Sequence, residues 1–526
     1  MILADILPLL ENPEISGNSM APISGVTHDS RRVCLDFAFV AMVGEKVDGH
    51  DFVSKACKGG ASVIIAEKDP PTGFDTSKVT WVRVQNSRRA LGPIAACVYD
   101  RPSESMSLVG ITGTNGKTTT TYLLESILRA AQFVPGIIGT ISHRWPGVEI
   151  AASNTTPEAS DIQKMLAEMR QIGVTHVLME VSSHGLCMRR LDGCNFDAGV
   201  FTNLTHDHLD FHLNMEAYYA AKKILFDELL PSSNKRGVYA AINIDDHYGS
   251  RLIREISSIP IIKYGLTNEA DVYPVNTQIS PKGVKADILT PDGPLSVESE
   301  LVGAFNLSNI MAAVSVSLKL GISREAITTG IKSVKAVPGR LERVVSGSGA
   351  IFVDYAHTPN ALKNVLQAIR DICQGRLITL MGCGGDRDRT KRPVMGMEAA
   401  SGSDFVVITS DNPRSEDPIA IIKQIEEGVL KFGFQKISLD SANSVMKKGT
   451  YVVIPDRRQA IEWAIRKLEP TDTLLLAGKG HETYQEINGI RYPFDDRVIA
   501  LKESKKLSSS NHKNQNTERP LQTIRA

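Results

Sequence analysis

Val109–Thr121 reads VGITGTNGKTTTT. A short apolar run over Ser107–Thr112 leads into a glycine-rich turn, then Lys117 and Thr118, then a helical pattern that runs to Ala131. Strand, turn and helix in that order build a phosphate cradle. The glycines let successive backbone N–H groups face an anion, and the helix N-terminus adds partial positive charge. In that setting Lys117 can reach the β- and γ-phosphates and the Thr118 hydroxyl can hold Mg²⁺. Gly113, Thr114, Asn115, Gly116, Lys117, Thr118 and Thr119 are therefore candidate nucleotide contacts. The loop departs from G-x-x-x-x-G-K-[ST] at Ile111, where that pattern has its first glycine. A tight strand–helix turn without a ligand is the alternative reading.

The same alternation continues outward. Val174–Val181, Asp197–Thr202, Gly237–Asn243, Ile351–Asp354, Arg376–Met381, Asp404–Ser410 and Thr473–Ala477 read as strands. Several are unbroken Val/Ile/Leu runs, as in strands covered on both faces. Helical patterns lie between them, for example Met215–Leu230 and Pro359–Arg370. The fold class predicted is α/β with parallel sheets. A polar stretch at Arg101–Ser107 and a Pro-Gly break at Val337–Arg340 divide the chain into 1–106, 107–337 and 338–504. Residues 505–526 are polar and poor in apolar side chains, and are expected to be disordered.

The 526 residues carry 59 Lys+Arg against 59 Asp+Glu, which disfavours a general nucleic-acid binder. The zero is a cancellation. The tail 505–526 has five Lys/Arg and one Glu, leaving 54 basic and 58 acidic side chains in 1–504. The long uncharged stretch Leu301–Leu318 contains Asn306, Ser308 and Asn309, so it reads as a helix with a polar side and not a membrane span. MILADILPLL lacks basic residues ahead of its apolar part and carries Asp5 and Pro8, so no secretory signal is expected. Seven cysteines without a Cys-x-x-Cys pair fit a reducing cytoplasm and idle thiols.

Further motifs follow predicted strands. Glu180 in VLMEVSSHG (Val177–Gly185) stands at a strand's C-terminal end, where ligands bind in open α/β sheets. Thr202–His212 (TNLTHDHLDFH) holds three histidines; a zinc site on His208 and His212 is one reading, and solvated or capping roles for His206 and His212 another. Ser410–Pro418 (SDNPRSEDP) aims the planar guanidinium of Arg414, a fork that fits a carboxylate. Gly382–Asp388 (GCGGDRD) carries Arg387, and Gly478–Glu482 (GKGHE) follows another strand. A dinucleotide fingerprint at GKGHE is disfavoured, because no strand–helix unit with an acidic residue about 20 positions on follows.

GTNGKT (Gly113–Thr118) resembles the shortened phosphate loop of the Mur ligases and the folylpolyglutamate synthases, which join an amine to a carboxylate using ATP. The likeness extends across residues 20–500. THDSR (Thr27–Arg31), NTTP (Asn154–Pro157), DNPR (Asp411–Arg414) and GKGHE together resemble the MurE-type branch. The resemblance implies three domains: an N-terminal UDP-binding α/β domain, a central P-loop ATPase-like parallel sheet and a C-terminal Rossmann-like domain. It implies Lys117, Glu180, His208 and Lys222 as the catalytic set, with Mg²⁺ on Thr118, Glu180, His208 and a carbamylated Lys222. Lys223 is adjacent, and the choice between the two lysines stays open. Asn306, Arg340 and Asp354 are implied as further ATP contacts.

Ser30 is implied for the uridine nucleotide, and Asn154, Thr155, Thr156, Ser182 and Arg190 for the muramoyl-dipeptide. Met188 stands where the family commonly has a polar side chain. Arg387, Asp411, Asn412, Pro413, Arg414, Gly478 and Glu482 are implied as contacts to meso-diaminopimelate. The expected reaction adds that amino acid to UDP-N-acetylmuramoyl-L-alanyl-D-glutamate in peptidoglycan precursor synthesis, through an acyl phosphate, in a cytoplasmic monomer. An L-lysine-adding relative, a folylpolyglutamate synthase and a non-catalytic regulatory homologue are the rival readings.

Overall fold

The computed structural model describes residues 1–44, 47–280, 282–344, 349–444 and 446–515. Among these, the strands form three large sheets, a three-stranded antiparallel sheet and a two-stranded hairpin. The N-terminal sheet has five strands in the order Glu14–Ser16, Thr80–Arg83, Ala61–Ala66, Phe37–Val40, Gly25–Thr27; only the Glu14–Ser16 edge runs antiparallel.

The central sheet has eight strands: Ile261–Tyr264, Tyr239–Asn243, Ala198–Phe201, Ser107–Thr112, His176–Glu180, Pro135–Ile138, Ser142–Trp145 and Val148–Ala151. Its first six are parallel, and the last two turn back as an antiparallel hairpin. The inner strands are buried along nearly their whole length, which explains their continuous apolar runs. The third sheet orders Glu342–Val344, Ala350–Asp354, Thr473–Ala477, Leu377–Met381, Phe405–Ile408, Thr450–Val453 and Gln435–Lys436, parallel apart from its first strand.

The expected strands are present, with ends that agree to within two residues of those read. Met215–Leu230 is an α-helix only to Ile224; a π-turn, Leu225–Leu229, finishes it. The antiparallel strands Tyr273–Ser280, Gly283–Leu289 and Leu295–Ser299 had no counterpart in the sequence reading. The uncharged stretch forms the helix Ala304–Lys319, packed through Ile310, Met311 and Val314 against Leu123, Leu124 and Ile127 of the helix Lys117–Ala130. Its polar side does not face water: Asn306 and Asn309 are both buried. No helix among the described residues is long and apolar enough to cross a membrane.

The expectation of disorder from residue 505 needs correction. Helix Asp496–Gln515 continues through that point. Glu503 pairs with Arg466 and Lys506, and Leu507 packs on the core of the third sheet. Residues 516–526 lie outside the described residues.

Candidate active site

The strand Ser107–Thr112 ends in the turn Gly113–Gly116, from which the helix Lys117–Ala130 starts. Gly116 has φ +90°, and a Cβ there would collide with Asn309 Oδ1, so glycine is required at this contact. Thr202 Oγ1 donates to Asn115 O at 2.6 Å, Asn203 Nδ2 donates to the same oxygen at 3.1 Å, and Asn203 Oδ1 accepts from Asn115 N at 2.9 Å. Thr114 Oγ1 accepts from Thr205 N at 3.0 Å and lies 3.1 Å from the Tyr218 hydroxyl. The turn is thus braced by its neighbour strand's loop, so its conformation is set before any ligand arrives. Asn306 reaches it indirectly: Asn309 Nδ2 donates to Asn306 Oδ1 at 3.1 Å, while Asn309 Oδ1 faces Gly116.

Lys117 Nζ donates to the carbonyls of Gly113 (2.8 Å) and Thr114 (2.9 Å). Lys222 Nζ donates to the same Gly113 carbonyl at 3.0 Å. Two ammonium groups therefore crowd one oxygen in a buried place. Burial lowers both pKa values, that of Lys222 strongly, and Lys117 depresses Lys222 further. Lys223 points elsewhere, to Glu255 at 3.0 Å and Asp227 at 3.6 Å.

Glu180 is buried at its strand end and collects hydroxyls. Thr118 Oγ1 donates to Oε2 at 3.0 Å, Thr140 Oγ1 to Oε2 at 2.8 Å, and Thr140 N to Oε1 at 3.1 Å. Arg340 Nη2 donates to Thr118 Oγ1 at 3.3 Å, which links the Pro-Gly-Arg turn to the phosphate loop. His208 has φ +53° and stands 3.5 Å from Asp207; partial burial takes its pKa down to about 4, against the pull of Asp207. Tyr218 connects these groups: its ring centre is 6.0 Å from that of His208 and 4.7 Å from Lys222 Nζ.

His212 corrects the sequence reading. It is buried, 2.9 Å from Ser183 Oγ and stacked on Tyr218, so it is not solvated. Among the described residues no group of three or more His, Cys, Asp or Glu converges on a metal position.

A second cluster flanks the first. Thr155 Oγ1 lies 3.1 Å from Thr140 Oγ1, and Thr156 Oγ1 donates to Glu180 O at 2.9 Å and to Ser182 Oγ at 3.0 Å. Arg190 donates to Thr156 O at 2.9 Å and pairs with Glu158 at 2.8 Å. Asn154 is exposed beside them, and Met188 is half-buried. The loop holding Ser30 faces this cluster from the N-terminal sheet: His28 Nδ1 is 3.2 Å from Ser160 Oγ, and Arg32 pairs with Asp161 at 2.6 Å.

The third cluster lies at the C-terminal ends of the third sheet's strands. Asp354 is buried and accepts from Leu341 N at 2.6 Å; burial raises its pKa to about 6, opposed by Arg340. Gly478 N donates to Asp354 O at 3.0 Å. Arg414, at φ +50°, is held through its backbone by Glu486 O (3.0 Å) and by Asn488 N (2.7 Å). Its Nη1 donates to Gly385 O at 2.7 Å. Arg414 and Arg387 flank Gly384, with Arg387 exposed. Asn412 Nδ2 donates to Glu482 Oε2 at 2.8 Å. Pro413, between them, shapes the turn.

The hub of this cluster escaped the sequence reading. Lys479 is fully buried and its Nζ donates to Asn412 Oδ1 (2.9 Å), Glu482 Oε2 (3.1 Å) and Asp411 Oδ1 (3.3 Å). Thr140 was missed as well; the only signal was a polar Gly-Thr step after the strand Pro135–Ile138.

Comparisons with known proteins bear on the family and the fold. The Mur ligase family catalytic domain matches residues 22–99, the Mur ligase middle domain 111–317, and the Mur ligase glutamate ligase domain 339–480. A protein of Geobacter metallireducens named UDP-N-acetylmuramoyl-L-alanyl-D-glutamate–2,6-diaminopimelate ligase is 43% identical over 514 residues, covering 97% of this chain and 99% of its own length. A solved structure of a ligase with that name is 31% identical with a TM-score of 0.67, over 97% of this chain and 99% of that one. The Thermotoga maritima MurF ligase in complex with ADP, 18% identical over 93% of this chain and 98% of its own with a TM-score of 0.58, shares the fold. On this evidence the chain belongs to the Mur ligase family.

Proposed function

We propose that this Mur ligase adds meso-diaminopimelate to UDP-N-acetylmuramoyl-L-alanyl-D-glutamate, converting ATP to ADP and phosphate, in the cytoplasmic synthesis of the peptidoglycan precursor. A carboxylate is a poor electrophile. Its oxygen attacks the γ-phosphorus of ATP, ADP leaves, and an acyl phosphate results. The amine then attacks the acyl carbon, phosphate departs, and a proton is released. Negative charge gathers near one point in both steps. Lys117 and Arg340 are the cations available to stabilise it.

The cluster of Thr118, Thr140 and Glu180 supplies hard oxygen donors, which fit Mg²⁺. Thr118, Glu180, His208 and a carbamylated Lys222 would hold it, and when bound it supplies charge neutralisation at the transferring phosphoryl group. Lys222 suits carbamylation because burial and the neighbouring Lys117 push its pKa well down, which favours the unprotonated amine that adds to CO₂. The resulting anion would also relieve the crowding with Lys117 at the Gly113 carbonyl. Thr155, Thr156, Ser182, Arg190, Asn154 and, across the domain boundary, Ser30 form the polar wall proposed to receive the muramoyl-dipeptide and its uridine nucleotide.

One observation supports the amino-acid choice most directly. Arg414 and Arg387 stand at the same glycine turn, and Asp411 and Asn412 of one loop meet Glu482 of another in one cluster. Cations for a carboxylate and anions for an ammonium are the two halves of an amino-acid head group. L-Lysine has no second carboxylate to occupy the guanidinium. The test is product mass: ATP, Mg²⁺, the UDP-linked dipeptide and meso-diaminopimelate should give a UDP-linked tripeptide one diaminopimelate residue heavier. No such product with all four present would refute the proposal.

A further inference from the structure

The geometry points to Lys479 as a positioning and specificity-determining residue, which ties Asp411, Asn412 and Glu482 into an acidic frame sized for one ammonium of the incoming amino acid. The inference rests on the proposal that the Asp411–Arg414 loop receives diaminopimelate. Lys479 itself has no exposed surface, so it does not contact solvent or present a charge to substrate. Its three hydrogen bonds all go to groups proposed as amino-acid contacts. Asn412 is fixed twice over, since its Oδ1 also accepts from Glu486 N at 3.0 Å while its Nδ2 holds Glu482. The loop carrying Lys479 has a second face as well: His481 stacks near Tyr355, with ring centres 5.0 Å apart, beside Arg340. One short loop thus connects the amino-acid cluster with the nucleotide side.

Charge balance gives the lysine its role. Asp411 and Glu482 bring two negative charges and Lys479 returns one positive, so the frame presents one net negative charge. The other groups bearing on it include Arg457, whose buried guanidinium is bound to Asp496, the buried Cys383 thiol beside Asp411, and the rings of Tyr484, Phe494 and Tyr355. Without Lys479 the two carboxylates face each other with only distant compensation, and one takes up a proton as pH falls. Asp411 already pushes Glu482 upward, after burial, while Lys479 pulls it down. A frame with one net charge accepts one ammonium, leaving the substrate carboxylate to Arg414 and Arg387. A frame with two net charges attracts an additional cation and favours lysine-like substrates.

The test uses the full-length enzyme with Lys479→Met and Lys479→Arg. In Lys479→Met the KM for meso-diaminopimelate should rise about tenfold or more, with the KM for ATP within about twofold of the parent. That KM should climb further as pH drops from about 8 to about 6, where the parent stays flat, and the preference for diaminopimelate over L-lysine should shrink about tenfold. Lys479→Arg keeps the charge and should restore the flat pH profile and the preference, whatever it does to kcat. If Lys479→Met does not fold, Lys479→Arg alone decides: a pH-dependent KM or a lost preference in that variant overturns the inference. In Lys479→Met, equal rises in both KM values, or an unchanged pH profile and preference, also overturn it. Failure of the parent enzyme to use diaminopimelate refutes the functional proposal instead, so the two failures are distinct.

Discussion

Replacing Arg414 by Ala removes the guanidinium and leaves the loop intact. The backbone of Arg414 is held by Glu486 O and Asn488 N, neither of which depends on its side chain, and Ala tolerates φ +50° no worse than Arg does. The protein-side loss is the 2.7 Å bond to Gly385 O and a loose 3.7 Å pairing with Glu486. What matters is the substrate carboxylate left without its partner. Truncating one side of a buried, hydrogen-bonded charge pair costs about 2–5 kcal/mol. The Arg414 side chain is 19% exposed, so solvent screens it and the lower end applies. At about 2 kcal/mol, and about 1.4 kcal/mol per tenfold, the KM for meso-diaminopimelate should rise about 30-fold. The KM for ATP should stay within about twofold, because Arg414 belongs to the cluster proposed to take the amino acid and lies outside the phosphate loop. Coupled-enzyme measurement of ADP release with each substrate varied in turn reads both constants. Parallel rises in the two would show that Arg414 holds the domain together and does not select the substrate.

Lys222→Ala should be nearly inactive and partly rescued by added short carboxylates, whereas Lys223→Ala, which removes only partly exposed ion pairs, should keep most activity; ADP release reads both. Arg457→Met strips the partner from Asp496 in an ion pair with no exposed surface and should cost about 3–5 kcal/mol in denaturant unfolding. Asp354 has its pKa raised to about 6, so its ionised form is disfavoured in the fold; the stability it contributes is complete below its unfolded pKa and is lost as pH rises through about 6. Relative to Asp354→Asn, the parent should therefore gain thermal stability as pH falls from about 7 to about 5, and a constant difference would contradict the assignment.

Much of this was legible because local patterns carried it. Buried parallel strands write continuous apolar runs, and the turn at Gly113–Gly116 leads into a helix whose register shows in its spacing. The DNPR turn is local too, but its reading as an amino-acid selector came from the family resemblance, since a loop arginine by itself is more often solvated. What stayed hidden depends on partners far along the chain. Lys479 looks like any loop lysine until Asp411 and Asn412, almost 70 positions earlier, close over it. Thr140 gains its place through Glu180, 40 residues away, and Thr155. Asn309 looked like the solvated side of a helix, yet it packs on Gly116. The tail misled for the opposite reason: its composition is polar, but it continues the helix Asp496–Gln515, and Leu507 packs on the core of the third sheet.

Amino-acid selection is decided by ADP release. Purified enzyme given ATP, Mg²⁺ and the UDP-linked dipeptide should release ADP rapidly with meso-diaminopimelate, and at least about a hundredfold less efficiently in kcat/KM with L-lysine. Equal use of the two amino acids, or ADP release that ignores which is present, would contradict it.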